Sequence, residues 1–206
     1  MARGPRGRGR AAARGPRSAT RRRRRWPWLV APVVILLLGV SVLPVALLRV
    51  VDPPLTAFML AARLAAWQRG DTTFVLDYRP RPLAHISPWV ALAVIAAEDQ
   101  KFATHGGFDL DAISAALAAH RDGARLRGAS TLSQQVAKNL FLWSGRSRLR
   151  KALEGAYTVL LELLLDKRRI LELHLNIAEY GRGVYGVEAA ARRFFGRPAA
   201  TLERRQ

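Results

Sequence analysis

The chain has 206 residues, enough for one domain and an anchor but too few for two catalytic domains, since single domains commonly run to about 100–150 residues. It contains no cysteine, which excludes disulfide bonds and thiolate metal sites. The formal net charge is +19, but residues 1–25 hold eleven arginines and no acid, which leaves +8 for the remainder. The high isoelectric point is therefore mainly a property of the amino-terminal tail.

This tail, residues 1–25, is rich in arginine, glycine and proline. Such a composition buries too little apolar area to fold, so we expect the tail to be disordered. Nucleic-acid binding is one interpretation of its charge. Its position directly before an apolar segment favours a role in membrane topology instead, and we expect no nucleic-acid partner.

The segment from Trp26 to Leu48 contains 23 residues without a charge. About 20 helical residues cross the hydrocarbon core of a bilayer, so residues 26–48 are predicted to form a transmembrane helix. The five arginines at 21–25 predict a cytoplasmic amino terminus and a carboxyl-terminal domain outside. A cleaved signal peptide is the alternative, but the apolar run exceeds the usual ~7–15 residues and no small-x-small site precedes Asp52.

Residues 52–206 are predicted to form one mostly α-helical domain, because apolar residues recur at helical spacing and strand signals are scarce. Leu55–Trp67 predicts either a helix on the membrane surface or the first packing helix of the domain. The further predicted helices lie at about Ser87–Glu98, Leu110–His120, Thr131–Leu142, Leu149–Asp166, Arg168–Ala178 and Val187–Phe195.

Glu98 ends an apolar run that begins at Val90, and Asp99 follows it directly. Burial at such a helix end is expected to raise the pKa of the glutamate toward neutrality by desolvation, as general acid–base chemistry on sugars requires. The alternative for an isolated Glu-Asp pair is an ordinary helix terminus whose acids face water.

A second polar block runs from Gly128 to Asn139. Thr131 and Gln134 have capping-box spacing, so a helix should begin here and present free N–H groups that attract phosphate. Gln135 and Lys138 would add donors along the same helix. Standing alone, such a block is usually only a helix start.

A third block contains Arg146, Arg148, Arg150, Lys151 and Glu154. The last three share one helix face, because Arg150 and Lys151 precede Glu154 by four and three residues. The stripe is either a solvated set of ion pairs, worth only about 0.3–0.5 kcal/mol each, or a cleft that neutralises a pyrophosphate. Arginine can chelate phosphate oxygens with two donors, while lysine supplies a point charge.

A fourth block runs from Ile170 to Gly186. Glu172, Asn176 and Glu179 fall on one side, and Gly181 is typical of a helix stop. The two glutamates are more typical of hydrogen-bond anchors or solvated acids than of catalytic groups. His174, surrounded by leucines, is expected to be structural rather than a ligand.

Taken together, the four blocks closely resemble the peptidoglycan glycosyltransferases, the transglycosylase module of class A penicillin-binding proteins and its monofunctional relatives. The family's first motif, Glu-Asp-Gln-x-Phe-x-x-His-x-Gly-Phe-Asp, is matched from Glu98 to Asp109. Its second, Gly-Gly-Ser-Thr-Ile-Thr-Gln-Gln-x-x-Lys-Asn, is matched from Gly128 to Asn139 with replacements at Ala129, Leu132 and Ser133.

The third family motif, Arg-Lys-x-x-Glu, is matched by Arg150, Lys151 and Glu154. The fourth, Ile-Leu-Glu-x-Tyr-Leu-Asn, is matched at 170–176, except that His174 replaces the tyrosine. The resemblance extends from about Trp67 to Arg197, and the short anchor is similar to the monofunctional type of Gram-negative bacteria.

The resemblance implies a lysozyme-like helical fold in the periplasm, held at the bacterial inner membrane by a single-pass anchor. It implies a polymerase that elongates glycan strands from lipid II and releases undecaprenyl pyrophosphate, with the growing strand, the membrane and other cell-wall synthases as expected partners. Glu98 would be the general base of an inverting displacement.

Further residue roles follow from the same resemblance. Glu154, the second catalytic candidate, would lie near the donor pyrophosphate, where it would orient Arg150 and Lys151 or hold a divalent cation such as Mg²⁺ or Mn²⁺. The remaining candidates would bind substrate, by pyrophosphate charge or by hydrogen bonds to sugar and phosphate. They are Asp99, Ser130, Thr131, Gln134, Gln135, Lys138, Arg146, Arg150 and Lys151.

One departure from the family concerns the carboxyl terminus. Family members usually continue past a Phe-Phe-Gly-Arg-Pro region, here 194–198, into another helical motif with a Leu-Thr-x-x-Glu core, whereas this chain ends at Gln206. Either the sequence is cut short, or the domain closes without that helix and leaves apolar surface uncovered.

Three other classes of protein share some of these features. A lytic transglycosylase or lysozyme-type hydrolase shares the fold and a catalytic glutamate but does not need the basic cluster. A nucleic-acid-binding membrane protein would depend on the arginine tail. A non-catalytic scaffold would keep the anchor and the fold.

Overall fold

The computed structural model describes residues 26–121 and 130–205. The arginine-rich tail and the first two residues of the second motif, Gly128 and Ala129, therefore lie outside the described residues. Within the described ranges the α-helices are α1 Trp26–Leu47, α2 Ala57–Gln68, α3 Pro88–Glu98, α4 Leu110–Arg121, α5 Leu132–Phe141, α6 Arg148–Leu164, α7 Lys167–Ile177 and α8 Val187–Phe195. The prediction of a mostly α-helical domain is confirmed.

Helix α1 is long and apolar enough to serve as a single-pass membrane anchor. Its segment Val30–Leu47 has a mean hydropathy of 2.7. The chain divides into two units between Leu37 and Leu38, so the end of α1 belongs to the same unit as the domain. Val45 and Leu48 are buried in the domain core. The last residues of the predicted membrane span therefore lie inside the domain.

Helix α5 is the centre of the domain, with α6 and α7 as its main neighbours and α2 beside it. Its buried apolar residues follow helical spacing, at Leu132, Val136, Ala137 and Leu140. Each fully buried large aliphatic side chain contributes about 1.5–3 kcal/mol. Gln134, Gln135 and Lys138 of α5 line a cavity together with residues of α2 and α6.

Helix α2 is the first packing helix of the domain, which was one of two interpretations of Leu55–Trp67. Thr56 caps it by accepting a hydrogen bond from the Met59 backbone at 3.2 Å. Met59 and Ala66 are buried. The outer face of α2 nevertheless exposes Leu60, Leu64 and Trp67.

The segment after α7 is a strand rather than a continued helix. Glu179–Gly181 (β2) pairs antiparallel with Val184–Tyr185 (β3), and Asp77–Tyr78 (β1) pairs parallel with β3. The predicted helix stop at Gly181 is therefore wrong, since α7 ends at Ile177. Gly186 joins β3 to α8, and only glycine fits there, because its φ is +84° and a Cβ would lie 2.4 Å from the backbone oxygen of Asn176.

An apolar groove of about 660 Å³ runs along α3 and α8 beside the carboxyl-terminal residues. Trp89, Leu92, Phe194 and Phe195 line it and are exposed.

Candidate active site

A cavity of about 550 Å³ lies among α2, α5, α6 and the loop between the last two. It is lined by Phe58, Ser130, Gln134, Gln135, Lys138, Trp143, Ser144, Gly145, Arg146, Arg150, Lys151 and Glu154. The structure therefore brings together most of the site residues predicted from the second and third motifs. Four of the lining side chains are basic and one is acidic, so the cavity suits an anion.

The start of α5 forms one wall of this cavity through the predicted capping box. The Thr131 hydroxyl accepts from the backbone N–H of Gln134 at 3.3 Å, and the Gln134 side-chain oxygen accepts from the backbone N–H of Thr131 at 3.0 Å. Thr131 itself is buried, and its hydroxyl donates to the backbone oxygen of Gly107 at 2.7 Å. Thr131 thus lies behind the cavity, where it supports Ser130 and Gln134.

Glu154 lies buried in the opposite wall, with only 3% of its surface exposed. Its Oε2 accepts from Nη1 of Arg150 at 2.6 Å, and its Oε1 contacts the ammonium group of Lys151. The shared helix face predicted for these residues is confirmed. A carboxylate so enclosed fixes two cations at the cavity surface, since a buried charge is tolerated only when paired.

A divalent cation at Glu154 does not fit these residues. Both carboxylate oxygens already face cationic groups. Across residues 26–121 and 130–205, no group of three or more histidine, aspartate or glutamate side chains is placed to hold a metal ion. The two ion pairs of Glu154 support the other expectation, that Glu154 orients Arg150 and Lys151.

Glu98 stands at the last position of α3, as predicted, but it is exposed rather than buried. The expectation of burial is wrong because α3 lies at the surface: every residue of this helix is described, and none is buried. Oε2 of Glu98 accepts from Nε2 of Gln135 at 2.9 Å. Because Gln135 lines the cavity, this contact joins the carboxylate of Glu98 to the basic cavity.

Asp99 takes the buried position that the sequence predicted for its neighbour. Its carboxylate contacts Nε2 of His105 at 2.8 Å and accepts from the backbone N–H of Leu132 at 2.9 Å. It therefore ties the end of α3 to the start of α5. Asp99 was a candidate substrate ligand, but in the structure its oxygens bind protein groups away from the cavity lining.

Of the two acids of the fourth motif, Glu172 is a hydrogen-bond anchor and Glu179 is exposed, which are the two alternatives that the sequence offered for them. Glu172 accepts from the backbone N–H of Leu83 at 2.5 Å and pairs with Arg169. Asn176 binds both backbone groups of Arg81, accepting at 2.9 Å and donating at 2.8 Å. These bonds hold the segment before α3 against α7 and so fix the position of α3.

His174 is buried on α7, and its Nε2 lies 3.1 Å from Oε1 of Gln135. The pKa of His174 is lowered to about 4, mainly by burial and also by the positive charge of Lys138, against the opposite effects of Glu98 and Asp99. The imidazole is therefore neutral at neutral pH. Its burial among apolar residues agrees with the sequence, and Gln135 is the one side chain between it and Glu98.

Sequence reasoning missed two aromatic residues of the site. Phe58 lies under the ammonium group of Lys138, 5.6 Å from the ring centroid, and Trp143 lines the cavity from the loop after α5. Tyr180 lies outside this cavity, in the apolar groove along α3 and α8, where partial burial and the negative charge of Glu98 raise its pKa to about 12. Trp143 was detectable, since it lies between two motifs that both line the cavity.

Comparison with known proteins agrees with this geometry. The sequence model of one family, described as Transglycosylase, matches residues 73–206. The chain belongs to the transglycosylase family. Its resemblance to that family, proposed from the four motifs, is confirmed, and with it the lysozyme-like helical fold and the assignment as a glycosyltransferase enzyme.

Curated relatives of this transglycosylase carry the name biosynthetic peptidoglycan transglycosylase. One from Xylella fastidiosa (strain M23) is 54% identical over 181 residues, which cover 87% of this chain and 74% of the relative. One from Xanthomonas campestris pv. campestris (strain B100) is 51% identical over 190 residues, covering 92% and 76%. The family match contains Glu98 and every lining residue of the cavity except Phe58.

Proposed function

We propose that the chain is a peptidoglycan polymerase that elongates glycan strands from lipid II and releases undecaprenyl pyrophosphate. The observation that carries this proposal is the hydrogen bond from Gln135, which joins the exposed carboxylate of Glu98 to a cavity lined by four basic residues. The names of the curated relatives support peptidoglycan as the product.

Glu98 acts as the general base in this proposal. The 4-hydroxyl oxygen of the acceptor sugar attacks the anomeric carbon of the donor, and the hydroxyl proton passes to the carboxylate of Glu98. The bond from the anomeric carbon to the diphosphate breaks, and its electron pair leaves with the diphosphate. One displacement inverts an α-linked donor to a β-linked product without a glycosyl-enzyme intermediate. Exposure of Glu98 supports this role, because the acceptor must reach it.

The basic cavity receives the leaving group. Lys138, Arg146 and Arg150 are proposed to stabilise the negative charge that develops on the departing diphosphate. Lys151 and Arg150 are held for this purpose by Glu154. Ser130, Gln134 and Gln135 offer hydrogen-bonding groups near the first turn of α5. The backbone N–H groups of Leu132 and Gln134 in that turn are not free for an anion, because they already donate to Asp99 and Thr131.

We also propose the membrane arrangement that this substrate requires. Residues 1–25 form a cytoplasmic tail, residues 26–48 supply the apolar helix that crosses the bacterial inner membrane and whose last residues enter the domain, and residues 52–206 form the periplasmic domain. The apolar helix α1 and the arginines directly before it support this orientation. A lipid-linked substrate with an anionic head also favours an enzyme that is tethered and basic.

A gel assay with fluorescent lipid II tests the proposal. We expect the full chain in detergent to produce a ladder of polymer, Glu98→Gln to leave lipid II unreacted, and the exposed-acid control Asp111→Asn to behave as the parent. Shortening of preformed glycan without polymer would identify a hydrolase. An inert parent chain would indicate a scaffold, and either of these two results would overturn the proposal.

A further inference from the structure

A row of three side chains leads from the core to the exposed carboxylate of Glu98. His174 on α7 contacts Gln135 on α5 at 3.1 Å, and Gln135 contacts Glu98 on α3 at 2.9 Å. The outer member is exposed, whereas the inner member has only 4% of its surface exposed. An exposed glutamate at a helix end has many rotamers, so its position depends on what holds it.

The direction of these hydrogen bonds is fixed by chemistry. An ionised carboxylate only accepts, so Gln135 must turn its Nε2 toward Glu98. Its Oε1 then faces His174 and requires a donor there. A neutral imidazole meets this requirement only as the tautomer that carries its proton on Nε2. An acceptor at position 174 would instead favour the reversed amide, which would set the Gln135 oxygen against the Glu98 carboxylate.

We propose that His174 is a positioning residue for the transferase reaction: its Nε2–H fixes the amide of Gln135, and that amide holds Oε2 of Glu98 for proton transfer. This inference rests on the proposed role of Glu98 as the base. His174 itself touches neither substrate nor reacting atoms.

The surroundings of His174 keep this donor in place at neutral pH. The charged groups that act on it are Glu98 and Asp99 from the end of α3 and Lys138 from α5. Their effects oppose one another, and burial decides the outcome in favour of the neutral ring. Nδ1 is buried and has no hydrogen-bond partner among the described residues, so a second proton there would find no acceptor.

Steady-state kinetics of the full chain in detergent provide the first test. His174→Met removes the donor at similar volume, and we expect it to lower kcat on lipid II roughly tenfold with little change in KM, since one oriented hydrogen bond is lost. His174→Gln keeps an N–H donor, and we expect it to retain kcat within about threefold of the parent. His85→Gln, at an exposed histidine, is the matched control.

Two outcomes would overturn the positioning role. Parental kcat in His174→Met would show that the donor does not matter, and equal losses in the Met and Gln variants would show a merely structural residue. Glu98→Gln separates this inference from the proposed function. Parental kcat in Glu98→Gln would refute the base itself, whereas an inactive Glu98→Gln together with a fully active His174→Met would refute only the positioning.

An NMR measurement of the His174 tautomer tests the positioning role even if His174→Met does not fold. The chain has four histidines, so ¹⁵N-histidine labelling of the full-length parent gives few signals to assign. At pH 7 we expect His174 to be the neutral Nε2–H tautomer, and Gln135→Leu to remove that preference. A protonated ring or an Nδ1–H tautomer in the parent would contradict the inference.

Discussion

Glu98 and Glu154 are the two carboxylates that the sequence nominated for catalysis, and the structure gives them opposite surroundings. Glu98 is exposed and receives one hydrogen bond from a neutral amide. Glu154 is buried and lies between a guanidinium and an ammonium group. A base must reach its substrate and hold a proton, whereas a carboxylate that neutralises two cations fixes their positions. The different burial and hydrogen-bond partners of Glu98 and Glu154 thus indicate two different roles, which the residue type alone does not distinguish.

The largest expected effect on stability comes from removing the charge of the buried carboxylate of Glu154. Glu154→Gln leaves Arg150 and Lys151 without their counter-charge, and we expect it to lower the free energy of unfolding by about 3 kcal/mol. Denaturant titration of the detergent-solubilised chain measures this change. Asp111→Asn removes an exposed carboxylate that also pairs with a lysine and should change stability by less than about 0.5 kcal/mol. Equal losses of stability in the two variants would contradict the claim that Glu154 holds Arg150 and Lys151 in position.

A shift in the position of the Glu98 carboxylate should lower kcat without changing the stability of the fold. Glu98→Asp shortens the side chain by one methylene and draws the carboxylate away from Gln135. We expect kcat to fall about 100-fold, because a misplacement of about 1 Å has that effect, while the thermal midpoint stays unchanged. A variant that keeps the parental kcat would show that the carboxylate position does not matter.

Arg150 and Arg148 make a matched pair on one helix, since only Arg150 lines the cavity and bonds Glu154. Arg150→Ala removes a charge-assisted bond to the leaving group, worth about 2 kcal/mol, and should weaken binding of a pyrophosphate-lipid analogue about 30-fold. Arg148→Ala should leave that binding within about twofold of the parent. Calorimetric titration compares them, and equal weakening by both would indicate a diffuse field of charge rather than a site.

The comparison also shows what the sequence could and could not predict. The capping box at Thr131 and the Arg150–Glu154 pair were predictable because both depend only on spacing within one helix. The exposure of Glu98 was not, since an apolar run predicts burial only if other elements cover the helix, and α3 lies at the surface. The link from Asp99 to Leu132 joins residues 33 positions apart, so local patterns do not reveal it.

A smaller effect concerns pH and a third carboxylate, Glu188, which is buried and accepts from the Ala199 backbone at 2.8 Å and from Arg192 at 2.7 Å. Burial raises the pKa of Glu188, but these hydrogen bonds and the charges of Arg192 and Arg81 together lower it by more. The net pKa of Glu188 therefore lies below its usual value of 4.5. A lowered pKa stabilises the fold above the unfolded value and loses that contribution as pH falls through the folded value.

Between about pH 6 and pH 3, the parent should therefore lose stability more steeply than Glu188→Gln, whose side chain does not titrate. At neutral pH, Glu188→Gln should be about 1–2 kcal/mol less stable, because charge-assisted bonds are weakened. Glu179→Gln, at an exposed acid, is the control. Parallel pH dependence in the parent and Glu188→Gln would refute the assignment.

The most direct test of the division between the two carboxylates is a single-turnover measurement of glycosidic bond formation from lipid II, made on Glu98→Gln and on folded Glu154→Gln with enzyme in excess. If Glu98 is the base, Glu98→Gln should bind lipid II as the parent does but form bonds about 1,000-fold more slowly. Glu154→Gln should bind more weakly yet lose less of the bond-forming rate at saturation. The reverse pattern, with Glu98→Gln forming bonds at the parental rate, would contradict the account.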